Sequence, residues 1–277
     1  MSTSTRQRIA WLIASALIAS TAAAAPTSSQ IPGSMLDGMT WRLVGPFRAG
    51  WGTMAAGIPD QPNVFYFGAA GGGVWKTDDA GATWHAMSDG LESAPVGAIA
   101  IAPSDPKTLY VGMGHPEPRY DIAAGDGLYK STDGGAHWRH AGLQATRYIG
   151  QILIDPRDAN TVLVAALGHI FGPSPDRGVY RTSDGGATWK KVLFVDDQTG
   201  AIDLAADPAD PKIVFATTWT ARNWPWLSYF TPIEGEGSAI WKSTDGGVTW
   251  KRLAGENWPK GKLGRIGIAA AHLPNGA

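Results

Sequence analysis

"KSTDGGVTW", residues 242–250, decides how this chain folds, because almost the same string occurs three more times upstream. Residues 76–84 read "KTDDAGATW", residues 130–138 read "KSTDGGAHW" and residues 181–189 read "RTSDGGATW". The aspartates Asp79, Asp133, Asp184 and Asp245 stand 54, 51 and 61 positions apart. Self-similarity at such a period marks a repeat architecture, in which each unit buries its apolar face against the next.

Residues 96–141 show what one unit contains. "VGAIAIAP" alternates and is rich in Ile and Ala, as a buried strand is; "SDP" turns the chain and "TLYVGMG" is a second strand. After the polar loop "HPEPRYDIAAGD", "GLYKS" reads as a third strand, "TDGGA" as a tight turn and "HWRHA" as a fourth. Four strands in about 50 residues, with no helical period between them, predict one blade of a β-propeller. The order recurs. Inner strands repeat as "IGQILID" (149–155), "TGAIDLAAD" (199–207) and "GRIGIAA" (264–270). Second strands repeat as "NVFYFG" (63–68), "NTVLVAA" (160–166) and "KIVFATT" (212–218). Agreement of strand pattern, turn chemistry and repeat spacing is stronger than the nonapeptide alone.

Within the nonapeptide, the Asp carboxylate can accept hydrogen bonds from amides of the turn that follows. Gly81, Gly135, Gly186 and Gly247 can take a positive φ. Trp84, Trp138, Trp189 and Trp250 can each wedge a ring between layers. The motif is therefore read as a folding device at the hairpin between third and fourth strands. Its repetition argues against catalysis, since an active site needs its carboxylate once.

These strings resemble the Asp-box, or bacterial neuraminidase repeat, of sialidases, xyloglucanases and the sortilin-type propeller. "WRLVGPFRAGW", "GAAGGGVWKT" and "VLFVDDQTGAIDLAADP" are similar to a family of large exported bacterial proteins with sortilin-like repeats, often labelled glycosyl hydrolases. The resemblance implies an all-β propeller of four-stranded blades, incomplete here, with four blades and the start of a fifth. It also implies further C-terminal blades that would complete the ring in cis. The expected organisation is a secretory signal over 1–24, a linker over 25–40 and a partial propeller over 41–277. Blades are expected at about 41–88, 89–142, 143–194 and 195–254, with a fifth begun over 255–277.

Composition agrees with a globular chain: 44% hydrophobic, 17% charged, net charge −1. No basic excess is present to neutralise phosphates, which excludes nucleic acid as a partner. The 36 Gly, 19 Pro and 13 Trp suit tight turns and layered strands. The absence of Cys removes disulfides and thiol chemistry. At the N-terminus, Arg6 and Arg8 precede an apolar run from Ile9 to Ala19 and then small residues up to Ala24. That layout predicts an export signal and a periplasmic or extracellular protein, the apolar part being short for a stable membrane span.

Chemistry, if present, is expected on the rim opposite the repeated hairpins, in the loops joining second and third strands. The second unit carries Glu117, Arg119 and Asp121 there, the third Arg177 beside His169, and the fourth Arg222, Trp224 and Trp226. These readings divide. Glu117 with Arg119, and Trp224 with Trp226, serve equally as a solvated pair and a loop-packing cluster, or as a rim binding protein, peptide or polysaccharide. Aromatic faces suit sugars and Arg suits carboxylates. Glu117 and Asp121 are the candidates for a hydrolase carboxylate, which glycosidase chemistry needs in pairs. The resemblance to xyloglucanases puts Ala70 where their first catalytic Asp stands, and "PFRAG" (46–50) only loosely resembles the sialidase Arg motif. His115 and His169 form no metal-binding spacing, and neither a metal nor a cofactor is implied.

Overall fold

The computed structural model describes residues 32–35, 37–38, 51–117, 122–222, 234–256 and 258–271. The chain divides into two units, 1–47 and 48–277. In the first, the described residues form a single 3-10 turn, Gly33–Met35, closed by the Met35 amide donating to Pro32 O at 2.9 Å.

Among its described residues the second unit holds sixteen strands in four antiparallel sheets. The first holds β1 (Gly52–Ile58), β2 (Gln61–Ala69), β3 (Gly73–Thr77) and β4 (His85–Ala86). The second holds β5 (Val96–Ala102), β6 (Asp105–Met113), β7 (Leu128–Ser131) and β8 (Arg139–His140). The third holds β9 (Ile149–Asp155), β10 (Asp158–Ala166), β11 (Gly178–Thr182) and β12 (Lys190–Leu193). The fourth holds β13 (Thr199–Ala206), β14 (Val214–Thr220), β15 (Ala239–Ser243) and β16 (Lys251–Arg252). Each is a meander in chain order, the blade anatomy expected from the repeat. Among the described residues no helix is long and apolar enough to cross a membrane.

Successive sheets bury matching faces. Leu109 and Val111 of β6 pack with Tyr66 and Val74 of the first sheet. One sheet on, Val162 and Val164 of β10 pack with Tyr110 and Leu128. Val214 and Ala216 of β14 pack with Leu163 and Val179. Because side chains alternate along a strand, the register puts these residues on one face of every second strand. In the first sheet the same positions are Phe65 and Phe67, and Phe65 is 39% exposed.

Inner strands approach too closely for a side chain at their second position. A Cβ on Gly97 would lie 2.2 Å from Ile149 O, and one on Gly150 would lie 2.3 Å from Ile202 O. The stretch 264–271 departs from the expected fifth inner strand. It lies against the fourth sheet, where Thr217 Oγ1 donates to Ile266 O at 2.9 Å and the Ile268 amide donates to Asp203 Oδ2 at 3.1 Å. It forms no ladder, because no described strand pairs with it.

Candidate functional site

The four repeated hairpins share one hydrogen-bond pattern around the Asp. In each, the Asp carboxylate accepts from the amide four residues on: Thr83, His137, Thr188 and Thr249, at 2.8, 2.9, 2.9 and 2.9 Å. Its second oxygen meets the side chain of that same residue, a Thr hydroxyl in three hairpins and the His137 ring in one. A hydroxyl two residues before the Asp completes the knot. Thr77, Ser131, Thr182 and Ser243 donate to the carboxylate and accept the amides of Gly81, Gly135, Gly186 and Gly247. These hydroxyl residues are buried. Sequence reasoning overlooked them, although a Ser or Thr occupies that place in every copy.

The hydrogen bonds stabilise the ionised carboxylate. Those from Thr83 hold Asp79 down at about 2, and those from the His137 amide and ring hold Asp133 at about 2. Asp184 is lowered by the Thr182 and Thr188 hydroxyls, and Asp245 by that of Thr249. A carboxylate so engaged is a turn element, poorly suited to accept a proton near neutral pH.

The hairpins also join the sheets. Gly134 O accepts from Tyr66 Oη, Gly185 O from Arg139 Nη2 and Gly246 O from Arg181 Nε, each donor lying one sheet earlier. Trp138 and Trp189 likewise donate backwards, to Met87 O at 2.8 Å and Ala141 O at 2.7 Å. Equivalence stops there. Trp250 donates to Gly247 O of its own hairpin at 3.2 Å, and Trp84, 38% exposed, meets the Phe67 ring edge-on at 4.8 Å.

The described ends of the β6–β7 and β14–β15 loops, and the β10–β11 loop, lie on the opposite rim. Beneath them Ile122, Tyr148, Leu167, Ile170, Ile202 and Trp219 form a buried cluster, so these loops carry a core of their own. Glu117 Oε2 receives Arg265 Nη1 at 2.6 Å, an ion pair unforeseen in the sequence. Arg177 does not line the rim surface: it is fully buried and braces its own loop. Its Nη2 donates to His169 O at 2.9 Å and Gly172 O at 3.1 Å, while Nε and Nη1 have no hydrogen-bond partner among the described residues. Burial pushes its pKa down to about 10. The loop folds over it because Gly168, at φ 66°, leaves no side chain where the Arg177 stem passes. Arg222 is half-buried two residues after β14. Arg119, Asp121, Trp224 and Trp226 lie outside the described residues. Ala70 follows β2, and its amide donates to Trp51 O at 2.8 Å. Among the described residues no group of three or more His, Asp or Glu is placed to hold a metal ion.

A family model described as "Sortilin, neurotensin receptor 3" matches residues 72–222. The xyloglucanase Xgh74A of Acetivibrio thermocellus is 29% identical over 231 residues, covering 76% of this chain and 26% of the relative. A crystal structure of an ancestral GH74 enzyme superposes with a TM-score of 0.55 at 19% identity, over 73% of this chain and 25% of its own. The GH74 enzyme of Niastella koreensis superposes at 0.53 with 20% identity, over 72% and 28%. The chain thus spans about a quarter of the length of the curated relatives it matches. The structural likenesses, at such identities, establish the propeller fold alone.

Proposed function

The chain belongs to the Sortilin-Vps10 family, and from that premise we propose that it is an exported propeller module that binds and scaffolds a protein or glycan. The observation that carries this reading is the complete engagement of the four repeated carboxylates within their turns, which leaves the repeats a structural role. Recognition then falls to the opposite rim, whose loops differ from blade to blade. The repeats are Asp-boxes in this reading, the blades run over about 41–88, 89–142, 143–194 and 195–254, and residues 1–24 direct export. On the rim, Arg119, Arg222, Trp224 and Trp226 supply cations and ring faces to the ligand.

A second reading is favoured by the xyloglucanases that the chain resembles: a glycoside hydrolase of unassigned specificity. Against it stand the expectation, from that resemblance, of an acid at the position of Ala70, and the ion pair that Glu117 makes with Arg265. A glycosidase needs two carboxylates about 5–10 Å apart around one bond.

Glycan and peptide arrays separate the readings. Trp224→Ala with Trp226→Ala should weaken retention on the array, and Glu117→Gln should leave it intact. Polysaccharide hydrolysis by the intact protein, lost on Glu117→Gln, would replace the binding reading with the hydrolase.

A further inference from the structure

Asp is followed directly by Gly at Asp37, Asp89, Asp126, Asp133, Asp184 and Asp245. Such a pair is chemically labile. With no side chain on the second residue, its amide nitrogen can reach the Asp side-chain carbon and close a five-membered imide. Water then reopens the ring at either carbonyl, and opening at the main-chain carbonyl leaves the backbone running through Cβ as isoaspartate. Closure needs a carboxyl group free to rotate and an amide nitrogen free to turn toward it. It also needs the neutral acid, whose hydroxyl departs as water.

The repeated hairpins withhold all of these. Asp133, Asp184 and Asp245 are each held by the hydroxyl two residues before and by the amide four residues on. Those bonds also lower the three carboxyl pKa values, so the neutral acid is scarce near neutral pH. The following amide is engaged as well. Gly134 donates to Lys107 O at 2.9 Å, Gly185 to Asn160 O at 3.0 Å and Gly246 to Lys212 O at 2.9 Å. Outside the hairpins, Asp126 is tethered by the Tyr129 hydroxyl.

Asp89 shows the opposite arrangement. It stands in the link from β4 to β5, at a turn closed by the Leu91 amide on Ser88 O at 3.0 Å. Asp89 and Gly90 are both exposed, and among the described residues no hydrogen bond holds the Asp89 carboxylate or the Gly90 amide. A Cβ on Gly90 would meet nothing within 4 Å, so no neighbour restrains the turn there. The flanks, by contrast, are fixed. Met87 O receives Trp138 Nε1, Ser88 Oγ receives the Val74 amide, and Leu91 packs on the cluster of Tyr66 and Leu109.

We propose that Asp89 is a site of spontaneous isomerisation to isoaspartate in the folded protein, and that the hairpin knots protect the Asp–Gly bonds they contain. The Gly90 nitrogen bonds to Asp89 Cγ as the amide proton and the carboxyl hydroxyl leave together as water. A second water restores the composition, so the conversion needs no oxidant and leaves the mass unchanged. The extra backbone methylene falls between the two fixed flanks, and the first seam must shift to accommodate it.

The test is incubation of the whole chain at neutral pH, folded and in urea, with isoaspartate counted at each site by electron-transfer fragmentation of its peptides. Folded, Asp89 should convert at least about tenfold faster than Asp133, Asp184 or Asp245. In urea the four rates should agree within about threefold, since each is then an unrestrained Asp–Gly pair. Gly90→Ala should slow Asp89 by at least about tenfold at an unchanged melting temperature. Ser131→Ala should speed Asp133 and leave Asp184 as it was. Chains converted at Asp89 should melt below fresh ones, and equal melting would overturn the strain placed on the first seam. No conversion at Asp89 while the unfolded chain converts, equal folded rates at the four sites, or a contrast that persists in urea would each overturn the assignment. Indifference of Asp89 to Gly90→Ala, or of Asp133 to Ser131→Ala, would do the same.

Discussion

Arg265 Nη1 stands 2.6 Å from Glu117 Oε2, although 148 positions separate them. Glu117 follows β6, and Arg265 belongs to the stretch that lies against the fourth sheet. The contact therefore joins the loop of one repeat to a segment more than two repeats later. Both side chains remain about four-tenths exposed, at 41% and 42%, so water and salt compete for each charge.

A double-mutant cycle of Glu117→Gln and Arg265→Gln should return a coupling of about 0.2–1 kcal/mol. Added salt should shrink it. Urea denaturation at low and high ionic strength measures both, and zero coupling at low salt would show that the pair holds nothing together.

The buried hydroxyl of each hairpin should matter more than its exposed neighbour. Ser131 Oγ accepts the buried Gly135 amide at 2.9 Å and donates to Asp133 at 2.8 Å, whereas Thr132 beside it is exposed. Ser131→Ala strands that amide and should cost about 1–3 kcal/mol. Thr132→Ala should stay within about 0.5 kcal/mol of the parent. Equal midpoints in urea for the two variants would refute the role given to the hydroxyl.

The lowered carboxylates make folding stability depend on acid. Asp79 and Asp133 are held at about 2, below an unfolded value of about 3.9, so the unfolded chain binds more protons between these limits. Their contribution is complete above about pH 4 and is lost as pH falls through about 2. Asp184 and Asp245 act in the same direction. Melting temperature should therefore drop steeply between pH 4 and 2, and replacing Asp133 with Asn should flatten that slope. A slope unaffected by the replacement would remove Asp133 from the account.

The indoles of Trp189 and Trp250 should respond differently to loss of their N–H. Trp189 bonds across a seam to Ala141 O, while Trp250 bonds within its own hairpin. Trp189→Phe breaks a link between sheets and should cost about 0.5–1.5 kcal/mol more than Trp250→Phe. Hydrogen exchange at the Ala141 strand end should quicken in the first variant alone; equal exchange in both would contradict the seam role.

The strand order and hairpins were legible because they rest on local chemistry repeated at fixed offsets: Asp-Pro turns, alternation and the Asp-Gly nonapeptide. The rim was legible only as loop positions. Arg177 looked like a surface cation because nothing in "GHIFGPSPDRG" announces that its backbone closes over the guanidinium and caps it with its own carbonyls. The Glu117–Arg265 pair was hidden for another reason. It depends on how sheets stack, and stacking is set by packing between repeats, not by any one repeat's pattern.

Gly97 gives the sharpest test of that stacking. It sits second in β5, where a Cβ would lie 2.2 Å from Ile149 O of the next inner strand and 2.3 Å from Gly114 O. Both obstacles are backbone, so no rotamer change can relieve them, and the inner strands would have to separate. Gly97→Ala should therefore cost about 3 kcal/mol or more, the upper end for overpacking. Gly71 provides the comparison: a Cβ there meets nothing within 4 Å and its φ is not positive. Gly71→Ala should change stability by no more than about 0.5 kcal/mol. Urea unfolding of both variants decides the matter, because a tolerated Gly97→Ala would mean that the inner strands do not approach as closely as the sheets require.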